Sequence, residues 1–118
     1  MASKRNNMSN FKFPVINPLL HGELRLKIMV ALESLESADF MYLCHITDST
    51  RGNVSAQITT LREAGYIEVS KSGFGRFSHT VCRITSRGRE ALQAYEEGLR
   101  RLFTERVPEE MEEKQDII

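Results

Sequence analysis

The stretch from Ser49 to Thr85, STRGNVSAQITTLREAGYIEVSKSGFGRFSHTVCRIT, carries the strongest structural signals in this 118-residue chain. In its first half, apolar or small residues recur at spacings of four, three and four, which is the period of an amphipathic helix. The residues on that side are Val54, Ile58, Leu61 and Gly65. We expect the helix to end at Gly65, because glycine readily adopts the left-handed conformation that closes helix C-termini.

Two strand-like runs follow this helix, from Tyr66 to Lys71 and from His79 to Thr85. Between them lies a turn with Gly73 and Gly75, which permit a tight reversal of the chain. Alternation of side chains places four residues on the inner face of the hairpin: Ile67, Val69, Cys82 and Ile84. A helix that ends at a glycine and is followed directly by a glycine-containing hairpin is typical of a winged helix-turn-helix with a two-stranded wing.

The outward side of the predicted helix is polar and carries few charges. Seven residues are predicted to contact DNA there: Arg51, Asn53, Ser55, Gln57, Thr59, Thr60 and Arg62. Amide and hydroxyl side chains can donate and accept hydrogen bonds at base edges in the major groove. The alternative is an ordinary solvated helix face. Such faces favour Lys and Glu, and neither occurs between Arg51 and Arg62, so the pattern favours base readout.

The turn of the hairpin and its flanks are basic and polar. The residues predicted to contact DNA from this wing are Lys71, Arg76, Ser78 and His79. A glycine turn with basic flanks can serve solubility alone. Because it directly follows a helix with a polar outer face, we interpret it instead as a contact to the phosphate backbone.

Upstream of this stretch the sequence predicts two further helices. Asn17-Pro18 is a strong helix start, and the helix continues to about Leu35. It is apolar on more than one side, so it is either central to the core or shared with another subunit. A polar turn, Glu36–Asp39, separates it from a short helix that ends near Thr47. The candidate caps of the third helix are Asp48, Ser49 and Thr50.

A long last helix, capped by Thr85, is expected from about Arg87 to Val107. Arg87 and Arg89 lie in its first turn, where the helix dipole disfavours cations, so we expect a phosphate or a carboxylate beside them. Further along, the helix carries a narrow apolar stripe that a monomer would leave in water. Pairing of the first and last helices across a two-fold axis would cover it. The residues assigned to this dimer interface are Leu19, Leu26, Leu92, Tyr95, Leu99, Leu102 and Phe103.

The composition is that of an ordinary globular protein, with 41% hydrophobic and 27% charged residues. The net charge of zero is a cancellation between a basic middle and an acidic C-terminal tail. The segment from Ser49 to Glu90 contains seven basic residues and three acidic ones. We predict one α+β domain, mostly α, over residues 14–107, with a flexible arm at 1–13 and an acidic flexible tail at 108–118.

Several classes of function are not expected. No nucleophile–base pair, carboxylate dyad or phosphate-binding loop occurs at usable spacing, which argues against an enzyme. Cys44 and Cys82 have no second ligand pair nearby in sequence, so we expect two reduced, partly buried thiols rather than a metal site. No cofactor is expected. No apolar run is long enough to span a membrane and no signal peptide is recognisable, which predicts a cytoplasmic protein.

From Asn17 to about Phe103 the sequence resembles the small winged-helix transcriptional regulators of prokaryotes grouped with the MarR family. The matching stretches are Asn17-Pro18-Leu19, Leu24-Arg25-Leu26, Asp39-Phe40, Gly52-Asn53-Val54-Ser55, Ala64-Gly65-Tyr66-Ile67, Gly75-Arg76, Arg83-Ile84-Thr85 and Gly88-Arg89. In this resemblance, Asn53 and Ser55 match the start of the reading helix and Arg76 the wing arginine. Gln57 stands where similar sequences often have His, and Phe77-Ser78-His79 replaces a more basic, proline-containing segment.

The resemblance implies a dimeric regulator with the third helix in the major groove and the wing at the backbone. We therefore expect a homodimer that binds a pseudo-palindromic site in double-stranded DNA and regulates transcription. The alternative comes from another class, a winged helix used as a protein-interaction module that does not bind DNA. The zero net charge slightly favours that alternative. The sequence identifies no small-molecule effector.

Overall fold

The computed structural model describes residues 10–75 and 79–108, which form four α-helices and three β-strands. In chain order they are α1 (Glu23–Leu35), β1 (Ser37–Asp39), α2 (Phe40–Thr47), α3 (Arg51–Glu63), β2 (Ile67–Ser72), β3 (His79–Ile84) and α4 (Ser86–Thr104). This is the order of a winged helix-turn-helix, an α+β fold that is mostly helical, as predicted. None of the helices in the described ranges is long and apolar enough to cross a lipid bilayer.

The sheet has three strands, one more than predicted, in the order β1-β3-β2 with both pairs antiparallel. The additional strand, β1, lies in the segment predicted to be a polar turn. It pairs with β3 through its backbone, with Ala38 opposite Cys82 and Asp39 opposite Val81. Three residues with a single buried side chain give no readable alternation, so the sequence pattern could not reveal this strand. Because α2 begins directly after β1, this pairing joins strand β3 of the wing to the start of α2.

The first helix starts later than predicted. Asn17 does cap a turn, since its Oδ1 accepts a hydrogen bond from the Leu19 amide at 3.0 Å. The turn does not continue into the helix, because the backbone at Gly22 is extended, with φ −139° and ψ 133°. Helix α1 begins at Glu23, and Gly22 provides no side-chain cap for it.

Residues 16–96 form one unit with its own hydrophobic core. Its fully buried side chains include Leu20, Ile28, Met29, Leu32, Leu43, Val54, Leu61, Ile67 and Cys82. Cys44 is also buried, so both thiols lie in the core, and neither forms a disulfide. Burial raises the pKa of the Cys82 thiol to about 11 and is also the main cause that raises the pKa of Cys44. The described residues contain no group of three or more side chains that could hold a metal ion.

The hydroxyl of Thr85 joins the end of α3 to the start of α4. It accepts a hydrogen bond from the Gly88 amide at 2.9 Å, which confirms the predicted cap, and donates one to the Gly65 carbonyl at 2.7 Å. The Thr85 amide donates to the Tyr66 carbonyl at 3.0 Å. Gly88 packs against that same carbonyl, and a Cβ at residue 88 would lie only 2.2 Å from its oxygen. Glycine at residue 88 therefore permits the close approach of α4 to the start of β2.

The remaining described residues, 10–15 and 97–108, form a second unit. The rings of Phe11 and Phe13 meet edge to face, with centroids 5.1 Å apart and an interplanar angle of 79°. Near the C-terminal end of α4, Arg101 Nη2 lies 2.7 Å from Glu105 Oε1. The helix ends at Thr104, slightly earlier than predicted. Residues 1–9 and 109–118, on which the predictions of a flexible arm and tail mostly fall, lie outside the described residues.

Candidate nucleic-acid interface

Helix α3 is oriented by its N-cap and by one buried side. Thr50 Oγ1 accepts a hydrogen bond from the Asn53 amide at 3.1 Å, so Thr50 is the cap among the three candidates. The buried side chains are Val54, Ile58 and Leu61, as predicted. Gly65, which was predicted on the same side, is exposed, but with φ +80° it ends the helix as expected. The opposite side of α3 is therefore turned toward solvent.

None of the residues of α3 that were predicted to contact DNA is buried, and we call this set the α3 face. Arg51, Asn53, Ser55, Thr59 and Arg62 are exposed, and Gln57 and Thr60 are half-buried. Among the described residues, Arg51 and Arg62 form no ion pair. Two guanidinium groups at the ends of a polar helix side are thus available to an anionic partner.

Two hydroxyls of the α3 face are turned back to the helix. Thr59 Oγ1 donates to the Ser55 carbonyl at 3.0 Å, and Thr60 Oγ1 donates to the Ala56 carbonyl at 3.1 Å. Their oxygen lone pairs remain free to accept hydrogen bonds. The donors that this face offers therefore come from amides, arginines and Ser55 rather than from its threonines.

One partner of the α3 face was missed by the sequence analysis. Arg25, on the first turn of α1, donates a hydrogen bond from Nη1 to Gln57 Oε1 at 2.7 Å. The two residues are 32 positions apart, and only the packing of α1 against α3 brings them together. Arg25 belonged to a stretch that matches the family pattern, but no local pattern could have identified its partner.

The wing is the hairpin of β2 and β3, in which Lys71 pairs with Thr80 and Ser72 with His79. Lys71 and His79 are exposed, as predicted for residues that contact phosphate. His79 Nδ1 lies 3.3 Å from Asp39 Oδ1, so an acidic group adjoins one side of the wing. The two other predicted wing contacts, Arg76 and Ser78, lie outside the described residues.

The tip of the wing carries an aromatic ring that the sequence analysis did not single out. Phe74 is 90% exposed and lies between Gly73 and Gly75, whose φ angles are 91° and 54°. The available signal was an aromatic residue between two glycines in a predicted turn.

The basic first turn of α4 has a protein partner. Arg89 Nη1 donates to the Glu33 carbonyl at 3.3 Å and lies 3.7 Å from Glu33 Oε2. Of the two anionic partners expected from the sequence, the carboxylate is thus the one found beside Arg89. Arg87 is exposed, and among the described residues it forms no ion pair.

The apolar stripe on α4 is divided between core and surface. Leu92 and Tyr95 are only 8% and 6% exposed, and the Tyr95 hydroxyl lies 2.8 Å from His21 Nδ1. The expectation that a monomer would leave these two side chains in water is therefore wrong. Helical spacing cannot distinguish burial in the same chain from burial between chains. Leu99 and Leu102 are half-buried and Phe103 is 73% exposed.

Comparison with known proteins agrees with this geometry. A profile of the winged helix DNA-binding domain family matches residues 24–103. The chain is 32% identical over 77 residues to the uncharacterized protein MJ0432 of Methanocaldococcus jannaschii, a match that covers 65% of this chain and 84% of that protein.

Two solved structures have a similar fold. One is a transcriptional regulator homologue from Pyrococcus horikoshii OT3, with a TM-score of 0.67, 23% identity and coverage of 83% of this chain and 91% of that one. The other is the transcriptional regulator BldR from Sulfolobus solfataricus, with a TM-score of 0.62, 23% identity and coverage of 98% and 86%. At these identities the likeness shows a shared winged-helix fold, which is the fold that the sequence resemblance implied. Because the family profile covers most of the chain, this protein belongs to the winged helix DNA-binding domain family.

Proposed function

We propose that this protein is a sequence-specific transcriptional regulator that binds double-stranded DNA as a homodimer on a pseudo-palindromic operator. The observation that carries the proposal is the α3 face, a polar helix side turned to solvent. Arg51 and Arg62 lie at its ends, and neither forms an ion pair with another residue in the described part of the chain. Membership of the DNA-binding family supports it independently.

In this proposal the α3 face enters the major groove, which is wide enough to admit one α-helix. Asn53, Ser55 and Gln57 contribute groups that can bond to base edges. Arg51 and Arg62 are suited to the phosphates on either side of the groove. The buried side of the helix holds this face in one orientation, so the contacts do not require the helix itself to become ordered on binding.

The wing supplies backbone contacts that do not depend on sequence. Lys71 is exposed on β2, and among the described residues its ammonium group has no ion-pair partner. We assign Lys71, His79, Arg76 and Ser78 to phosphate contact, the last two from their sequence positions alone. Such contacts position the protein on the duplex, and the base contacts of α3 then specify the site.

A second copy of the chain would cover apolar surface that one copy leaves exposed. On α1, Val30 is 51% exposed and lies with Leu26 and Ile46 along an open apolar cleft of about 510 Å³. On α4, Phe103 is 73% exposed. After removal of the two core residues, the proposed interface consists of Leu19, Leu26, Leu99, Leu102 and Phe103. Two-fold pairing would place two α3 helices about 34 Å apart, one turn of the duplex.

Duplex binding at several salt concentrations, followed by selection from a randomised library, tests this function. We expect the logarithm of the binding constant to fall linearly with the logarithm of the salt concentration. We also expect enrichment of two inverted half-sites whose centres lie about 10 base pairs apart. A protein-interaction module would show no duplex binding even at low salt, and enrichment of a single half-site would contradict the dimeric mode.

A further inference from the structure

Arg25 is held between the turn that precedes α1 and the middle of α3. Its Nε donates to the Leu19 carbonyl at 2.5 Å, and its Nη1 donates to Gln57 Oε1 at 2.7 Å. Gly22 leaves space for the guanidinium, since a Cβ at that residue would lie 2.9 Å from Arg25 Nη2. The Arg25 side chain is half-buried. It is therefore confined by contacts on both sides rather than being a mobile surface arginine.

This contact fixes the orientation of the Gln57 amide. A guanidinium group has only donors, so the amide must turn its oxygen toward Arg25. The amide nitrogen carries two N–H donors and forms no hydrogen bond with another of the described residues. Gln57 belongs to the α3 face and is only half-buried. The amide therefore offers two donors to an outside partner, whereas one of the two lone pairs of its oxygen is already used by Arg25.

The bases differ in what they present to such a group. An amide recognises adenine through two bonds, its oxygen accepting from N6 and its nitrogen donating to N7. Guanine instead presents two acceptors, N7 and O6. An amide whose oxygen is held by an arginine presents both of its N–H donors to the guanine edge, while the arginine occupies one of the two lone pairs with which the oxygen could accept from adenine N6.

We propose that Arg25 is a specificity-determining positioning residue of the α3 face. By holding the Gln57 oxygen, it directs the amide nitrogen to guanine rather than adenine at one base pair of each half-site. This inference rests on the proposed function, in which α3 reads the major groove. Arg25 acts through Gln57 and needs no contact with the DNA.

Selection from a randomised duplex library tests this role when the unsubstituted protein is compared with Arg25→Met, Gln57→Ala and the double variant. The unsubstituted protein should prefer guanine over adenine at one position by about tenfold, the effect of one good base contact. In Arg25→Met the freed oxygen can accept from adenine, so this ratio should fall about tenfold at that position alone. Gln57→Ala should lose the preference, and adding Arg25→Met to it should change nothing further.

Gln57→Glu gives a second test that leaves Arg25 in place. The carboxylate keeps an acceptor for Arg25 and removes both amide donors. Guanine preference should therefore be lost, and cytosine, which donates from N4, should be favoured at the same position. Urea denaturation of each variant separates effects on folding from effects on base preference.

The results that contradict the inference are distinct from those that contradict the proposed function. If Arg25→Met weakens binding to all duplexes equally and leaves every base preference unchanged, Arg25 only ties α1 to α3, and the inference is overturned. Retention of guanine preference in Gln57→Glu overturns it as well. If the unsubstituted protein enriches no sequence at all, the proposed function fails, and this inference fails with it.

Discussion

At residue 88 the packing leaves no room for a methyl group. A Cβ there would lie 2.2 Å from the Tyr66 carbonyl oxygen and 3.0 Å from Ile84 Cγ1. Because one of these atoms is backbone, Gly88→Ala should force α4 away from β2. We expect the free energy of unfolding, measured by urea denaturation, to fall by about 1–3 kcal/mol.

Gly52→Ala is the matched control for that substitution. Gly52 lies in the first turn of α3, and a Cβ there would have no atom within 4 Å. Alanine should therefore raise the free energy of unfolding, by up to about 1 kcal/mol, because glycine is a poor helix former. Equal losses of stability in the two variants would show that the close approach at residue 88 has no special effect.

The buried thiol of Cys82 makes stability depend on pH in the alkaline range. Its pKa is raised from 9.0 to about 11 in the folded chain, chiefly by burial. The unfolded chain releases this proton at lower pH than the folded chain, so stability should fall as pH rises from about 9 through about 11. The measurement is the urea midpoint across this range. Cys82→Ala should show a smaller decrease, and an identical decrease would assign the effect to other groups.

Among the elements, the wing is expected to contact the phosphates of the DNA backbone. Lys71→Ala should weaken binding to all duplexes by a similar factor and lower the salt slope by about one unit, because one phosphate contact is lost. Lys27→Ala is the control. Lys27 is also an exposed lysine, but it lies on α1 and pairs with Glu23 at 2.8 Å. Loss of binding to one sequence only in Lys71→Ala would indicate base readout by the wing instead.

Elements with strong hydrophobic periodicity could be predicted from the sequence. The buried side of α3, its end at Gly65 and the inner faces of β2 and β3 follow from spacings of three, four and two. Strand β1 could not be predicted from the sequence, because it is three residues long and is defined by its pairing with β3. The start of α1 was misplaced because Asn17 caps a turn that Gly22 then interrupts.

The candidate site was predictable only where it depends on one helix. The exposed part of the α3 face follows from helical geometry once the buried side is known. Its contact with Arg25 joins residues 32 positions apart, and the contact of Arg89 with Glu33 joins residues 56 apart. Such contacts depend on how helices cross. The same limit explains why Tyr95 was assigned to an interface although it lies in the core.

For the whole molecule, the central prediction is the dimer. Leu99→Glu together with Leu102→Glu should give a monomer, because charged side chains would have to be buried between the two chains. Specific DNA binding should be lost, because a monomer presents only one α3 to the duplex. Circular dichroism should still show a folded winged helix. Ala94→Glu, an exposed position on the same helix, should leave the dimer intact.

Light scattering at tens of micromolar gives the molecular mass directly for all three proteins. A monomeric unsubstituted protein would falsify the dimer and require a binding mode with a single α3. If the double variant remains dimeric, the interface lies elsewhere, and the exposed side of α1 around Val30 becomes the next surface to substitute.

The way α3 is anchored also bears on how such a regulator diverges after gene duplication. Both ends of the helix are fixed by groups outside its reading surface, the Thr50 hydroxyl at one end and the Thr85 bond to Gly65 at the other. Most outward positions can therefore drift without loss of folding, and a duplicated copy can acquire a new target by ordinary point mutation. Position 57 is the exception, because its change also removes the partner of Arg25 on α3. Descendants that alter it should carry a compensating change at residue 25.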